Sequence, residues 1–150
     1  MALPGNPTEL SRSYRFRIEM GLTGAQAHFT QFSGLGMRIE KIEYREAGAD
    51  PDVRKLPGQT QYSDVELAYG VTIPPSRELW DWMQKAVSGS PEPKNVSIIF
   101  LDALGVTEVR RIDLINAWPC EFIAAPLDAL ANTVVIEHIR LTYERIDLPA

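Results

Sequence analysis

The side chains able to do chemistry in this chain are few and scattered. There are two histidines, His28 and His138, and a single cysteine, Cys120. Neither histidine has a second ligand at the spacing of a zinc or iron centre, so no metal is expected. His138 alternates with Ile136 and Arg140 and reads as a surface or interface residue. Cys120 follows Trp118-Pro119 with no helix N-terminus to acidify it, which predicts a buried, inert thiol. Carboxylates gather in 40–46 and 50–64, but Arg and Lys are interleaved with them. Such mixed charge describes a solvated or intersubunit surface, not an acid/base pair. A phosphate-cradling glycine loop, a nucleophile elbow and a metal-binding helix motif are all missing. The chain reads as a non-enzyme without a cofactor.

Bulk properties agree. A formal charge of −5 over 150 residues argues against a dedicated nucleic-acid binder, though not against a conduit through which nucleic acid passes. The start, Met1 to Pro7, has neither a basic segment nor a signal-length apolar run, so synthesis in the bacterial cytoplasm without a signal peptide is expected. No apolar stretch approaches the eighteen or so residues of a membrane span, and no membrane anchoring is expected.

The elements that would position these groups are mostly strands. Residues 1–12 read as an N-terminal arm, 13–146 as one β domain and 147–150 as a tail. Tyr14, Phe16, Ile18 and Met20 alternate with polar residues, the period of a half-buried strand, and Gly21 and Gly24 mark a turn. A second strand runs from Phe29 to Tyr44, interrupted at Gly34-Leu35-Gly36. Its apolar phase slips between Ile39 and Ile42, predicting a bulge or a bend from one sheet to another. Residues 45–63 are polar and broken by Gly48, Pro51, Pro57 and Gly58, and read as a long loop with a task of its own.

Strand character resumes over 65–73. Ser76 is a predicted N-cap for a helix whose stripe is Leu79, Trp82, Met83 and Ala86, closed by Gly89. Trp82 is expected to pack inward and Trp80 to meet the rim or a neighbour. Val96 to Leu101 predicts a strand covered on both faces, turning at 102–105 and returning over 106–115. The stretch 116–119 reads as a connection into a short strand, 120–124. A second connection, 125–132, precedes a last strand over 133–146. The fold class is therefore mainly β: an antiparallel sandwich or barrel of about seven strands with one packed α-helix.

Several phrases, in this order, resemble the contractile-phage tail tube family, which includes the inner-tube proteins of contractile injection systems. They are Phe32-Ser33-Gly34-Leu35, residues 42–48, Lys55-Leu56-Pro57-Gly58, residues 79–82, Val96-Ser97-Ile98 and Asn116-Ala117-Trp118-Pro119. The resemblance spans about residue 13 to residue 146. It implies a structural subunit that closes into hexameric rings stacked as a hollow tube, in a virion tail or a released injection particle. Implied partners are a contractile sheath, baseplate and spike proteins, a tube terminator and a luminal cargo of toxin protein or DNA. It also gives the long loop a purpose, contact with the adjacent ring. Arg45, Glu46, Gly48, Arg54, Lys55, Leu56, Pro57 and Gly58 are its contact residues. Lumen-facing candidates on the last strand are His138, Arg140 and Thr142.

Two other readings stay open: a tube-initiating or baseplate-adaptor ring of the same machine, and a soluble small-ligand-binding β-barrel. The fully apolar strand over 96–101 suggests a filled core and argues against the latter.

Overall fold

The computed structural model describes residues 16–20, 28–45, 48, 52–71 and 77–149. Nine strands and one helix follow in the order β1 (Phe16–Glu19), β2 (His28–Ser33), β3 (Met37–Tyr44), β4 (Arg54–Tyr62), β5 (Val65–Gly70), α1 (Glu78–Val87), β6 (Lys94–Leu101), β7 (Glu108–Ile123), β8 (Ile136–Thr142) and β9 (Arg145–Asp147). Seven of them form one antiparallel sheet, ordered β1-β6-β7-β8-β5-β2 with β9 also on β7, while β3 and β4 pair only with each other.

The long strand β7 makes this one sheet into two layers. Its first part pairs with β6 and β9, and its last part pairs with β8. Between them Asn116 takes φ 54°, a left-handed conformation that Asn tolerates better than most residues. The partner strand breaks at the matching place, where Tyr143 and Glu144 separate β8 from β9 and the Glu144 amide donates to the Ile115 carbonyl. Both layers turn one face to a common core. Val96 and Ile98 of β6 and Leu114 of β7 come from one side; Val65 and Leu67 of β5 and Ile139 and Leu141 of β8 come from the other. All seven are at most 1% exposed, so they carry most of the apolar burial that drives folding.

Helix α1 adds Leu79 and Trp82 to this core. The Trp82 indole N–H donates to the Glu92 carbonyl at 2.7 Å, so its polar edge is satisfied. The predicted Ser76 cap lies outside the described residues; Arg77 occupies the N-cap position without a side-chain cap. The exit is as the sequence predicts. Gly89 takes φ +88°, and the amides of Gly89 and Ser90 donate to Ala86 and Lys85, the hydrogen-bond pair of a Schellman ending.

Three expectations are corrected. Residues 54–62 are a strand, not a loop: β4 hydrogen-bonds to β3 along its length but is largely exposed, so burial imprints no period on it. Pro57 is tolerated because β4 is an edge strand. Residues 106–115 and 120–124 do not form two strands, because β7 runs unbroken through Asn116 and Pro119. Cys120 is exposed rather than buried, as the extra residue of a bulge between Pro119 and Glu121. The early turn at Gly21 and Gly24 lies outside the described residues.

The change of sheet falls at Gly34-Leu35-Gly36, between β2 and β3, earlier than the predicted slip between Ile39 and Ile42, where the β3–β4 register shifts instead.

Candidate functional site

Three surfaces stand out in place of a cavity lined by reactive groups. The first is the pair of sheet margins, β1 and β2, which terminate the seven-stranded sheet and have no strand on their outer sides among the described residues. Unpaired strand edges expose rows of amide and carbonyl groups and are ready templates for another chain.

The second surface is the β3–β4 hairpin. Strands β2 and β5 pair Ser33 with Glu66, and β3 and β4 take up the same register with Met37 opposite Tyr62. One antiparallel ribbon therefore leaves the body across a junction at Gly34–Gly36 and Ser63–Asp64. Ser63 fastens it: its amide donates to the Gly36 carbonyl at 3.1 Å and its hydroxyl to the Gly34 carbonyl at 2.5 Å. Beyond the junction, Tyr62 rests against Tyr143 with ring centroids 5.7 Å apart. From there β3 runs on for eight residues, a reach of roughly 27 Å. A two-stranded sheet is marginal alone, and this one carries Met37, Ile39, Ile42, Tyr44 and Leu56 in solvent.

The predicted contact residues fall largely on this hairpin. Arg54, Lys55, Leu56, Pro57 and Gly58 all lie on β4, opposite Tyr44, Glu43, Ile42 and Lys41 in part. Arg45 follows β3, Gly48 has φ 82°, and Glu46 lies outside the described residues. Among the described residues, neither Arg54 nor Lys55 forms an ion pair within the chain. Space at Gly58 is tight: a Cβ there would stand 3.0 Å from the Glu40 carbonyl oxygen and 3.2 Å from the Ile42 side chain.

The third surface is the outer face of the β5–β8–β7 layer. His138, Arg140 and Thr142 share it by strand parity, as the sequence predicts. The structure adds partners that the sequence could not name. Glu66 of β5 and Glu121 of β7 flank Arg140 at 3.4 and 3.3 Å. His138 Nδ1 stands 3.0 Å from Glu66 Oε1, placed for an ion pair when the imidazole is protonated, though not aligned as a hydrogen bond. Trp118 and Ile123 register with the two ends of this row, at Thr142 and His138. On the helix, Trp82 is buried while Trp80 is 43% exposed and meets Phe122 edge-on at 5.3 Å.

Among the described residues no group of His, Cys, Asp and Glu is arranged to hold a metal ion. Partial burial foremost, and the Asp64 charge with it, push the Cys120 thiol above the usual range.

The profile of one protein family, described as T4-like virus tail tube protein gp19, matches residues 12–147. This chain belongs to that tail tube family. A search of curated proteins returns no match. Among solved structures, the chain is similar at 27% identity and a TM-score of 0.84 to a chain of an extracellular contractile injection system, the PVC sheath-tube complex in its extended state, covering 96% of this chain and 94% of that one. It is similar at 26% identity and a TM-score of 0.82 to a chain of the anti-feeding prophage tube-terminating cap, covering 99% of each. Hcp1 from Flavobacterium johnsoniae, at 15% identity and a TM-score of 0.62, shares the fold over 90% of this chain and 94% of that one. The tail tube family and the sheath-tube neighbour are structural tube components, not enzymes. No helix among the described residues is long and apolar enough to cross a membrane.

Proposed function

We propose that this chain is the main inner-tube subunit of a contractile injection system or phage tail, closing into hexameric rings that stack as a hollow conduit. The observation that carries this reading is the pair of free margins, β1 and β2, at opposite ends of one seven-stranded sheet in a member of the tail tube family. Pairing β1 of one copy with β2 of the next is a head-to-tail contact, which closes into a ring when the rotation allows. It also removes the edges that would otherwise invite aggregation. The sheath-tube and tube-cap titles of the similar structures support a place inside a sheath and between baseplate and terminator.

In this arrangement the outer face of the β5–β8–β7 layer lines the lumen. Arg140 stands between the carboxylates of Glu66 and Glu121, so charges of both signs are interleaved and a passing polymer meets no extended surface of one sign that holds it. The hairpin reaches neighbouring copies, with Arg54 and Lys55 guiding register more than adding affinity. The exposed tips at Leu104 and Val106, before β7, and at Leu127 and Leu130, after it, suit end-to-end stacking.

Sedimentation velocity over a rising concentration series, followed by negative-stain microscopy, tests the reading. Rings or tubes with a central hole are expected. A species that stays monomeric throughout, with no ring on any grid, would overturn it. The likeness to a tube-terminating cap supports a second reading, a terminal ring present once per particle; copy number in intact particles separates the two.

A further inference from the structure

We infer that Tyr143 and Leu35 fix the direction in which the β3–β4 hairpin leaves the body, so that the free subunit already holds the hairpin in one orientation. The inference goes beyond the tube reading, since it concerns the subunit before it meets any partner.

The hairpin is joined to the body through two short links, Gly34–Gly36 and Ser63–Asp64. A two-stranded ribbon has little stability of its own, and links that contain two glycines are where it would be expected to swing. The bonds from Ser63 to the Gly34 and Gly36 carbonyls tie the two links to each other. Such bonds hold the ribbon together but would travel with it, so they do not set its direction.

Two contacts anchor the links to the body itself. Leu35 is half-buried and packs against the core from within the first link. Tyr143, 8% exposed in the gap between β8 and β9, sets its ring against Tyr62 at 5.7 Å with the planes 51° apart. Its hydroxyl donates to the Gly36 carbonyl at 3.4 Å, so one side chain touches the end of the first link and the last residue of β4. That carbonyl also accepts from the Ser63 amide, and the anchor and the tie therefore meet on one atom. Tyr143 is itself held in place by its neighbour. The Glu144 amide donates to the Ile115 carbonyl at 3.0 Å, and the Glu144 carboxylate accepts from the Asn116 side-chain amide at 2.8 Å. The hairpin is thus referenced to the bend of β7, where the two layers part. Swinging it requires withdrawing Leu35 from the core and separating Tyr62 from Tyr143. A ribbon oriented in advance gives up less conformational freedom when it meets a partner.

Spin labels test this in dilute, monomeric protein: Lys55→Cys on the hairpin and Gln84→Cys on α1, both exposed, with Cys120→Ser to leave no other thiol. Double electron–electron resonance should give one narrow distance distribution for this parent. Tyr143→Leu should broaden it roughly twofold. Tyr143 also belongs to the core, so Tyr62→Ala removes the same contact from the hairpin side and should broaden it likewise. Ile98→Ala, which opens the core on β6, should lower the melting temperature and leave the distribution narrow. A parent distribution that is already broad, a width unmoved in Tyr143→Leu or Tyr62→Ala, or broadening in Ile98→Ala as well overturns the inference. Ring and tube formation is read separately, by sedimentation and microscopy of the wild type, and its absence overturns the tube reading alone.

Discussion

The hydroxyl of Ser63 donates to the carbonyl of Gly34 at 2.5 Å, tying the first residue after β4 to the turn that ends β2. Gly34 has φ +88°, and a Cβ there would meet the Asp64 carbonyl oxygen at 2.6 Å. Gly89 has the same φ, but the space around it is open. Left-handed backbone costs a side-chain-bearing residue about 1–2 kcal/mol. Gly89→Ala should therefore lower the melting temperature by a few degrees, about 2–4 °C per kcal/mol in a domain of this size. Gly34→Ala should lower it at least twice as far, because the backbone clash is added. Equal shifts in scanning calorimetry would mean that the junction can open without loss.

The two helix tryptophans should separate cleanly in urea. Trp82→Ala empties a core site and strands the Glu92 carbonyl, an expected loss of about 3–5 kcal/mol. Trp80→Ala removes an exposed ring with one edge-on aromatic contact, an expected loss of about 1 kcal/mol. A Trp80 variant as unstable as the Trp82 variant would contradict the orientation of the helix.

Asp102 holds the β6–β7 turn in acid-sensitive form. Its Oδ1 accepts from the amides of Val106 at 3.0 Å and Thr107 at 3.2 Å, and these bonds, Val106 foremost, hold its carboxyl below the usual aspartate range. A carboxyl lowered by folding contributes its stabilisation above the unfolded value, about pH 3.9, and loses it as pH falls through the folded value. Protection factors for amide exchange at Val106 and Thr107, taken against intrinsic rates, should hold down through the usual aspartate range and fall only in stronger acid. Loss of protection already at pH 5 would refute the contact.

Cys120 is exposed but should react slowly. With its thiol pushed up by burial and by Asp64, the thiolate fraction at pH 8 is smaller than that of an unstructured cysteine, whose midpoint is about 8.5. Alkylation rates across pH 7–10 should lag a short peptide control, with the rate profile displaced to higher pH. Superimposable profiles would show that the thiol does not feel its surroundings.

The legible parts of the fold were those in which burial stamps a period on the chain. The helix stripe at Leu79, Trp82, Met83 and Ala86 and the apolar β6 both announced themselves in residue order. Strand β4 did not, because a ribbon in solvent on both faces has no inside to mark, and Pro57-Gly58 reads locally as a stop. The unbroken course of β7 was hidden for a related reason. Pro119 usually ends a strand, yet here it is buried and opposite Leu141, beside the bulge at Cys120. The row of His138, Arg140 and Thr142 was readable from alternation, whereas Glu66 and Glu121 reach it through register between strands far apart in sequence.

Because β7 belongs to both layers, a thrust or pull along it passes from one layer to the other through covalent backbone, with no slack connection between. Its ladder bonds lie across the strand, so such a load would shear many of them together instead of unzipping them singly. The unbroken course of β7 through Asn116 therefore stiffens the domain lengthwise.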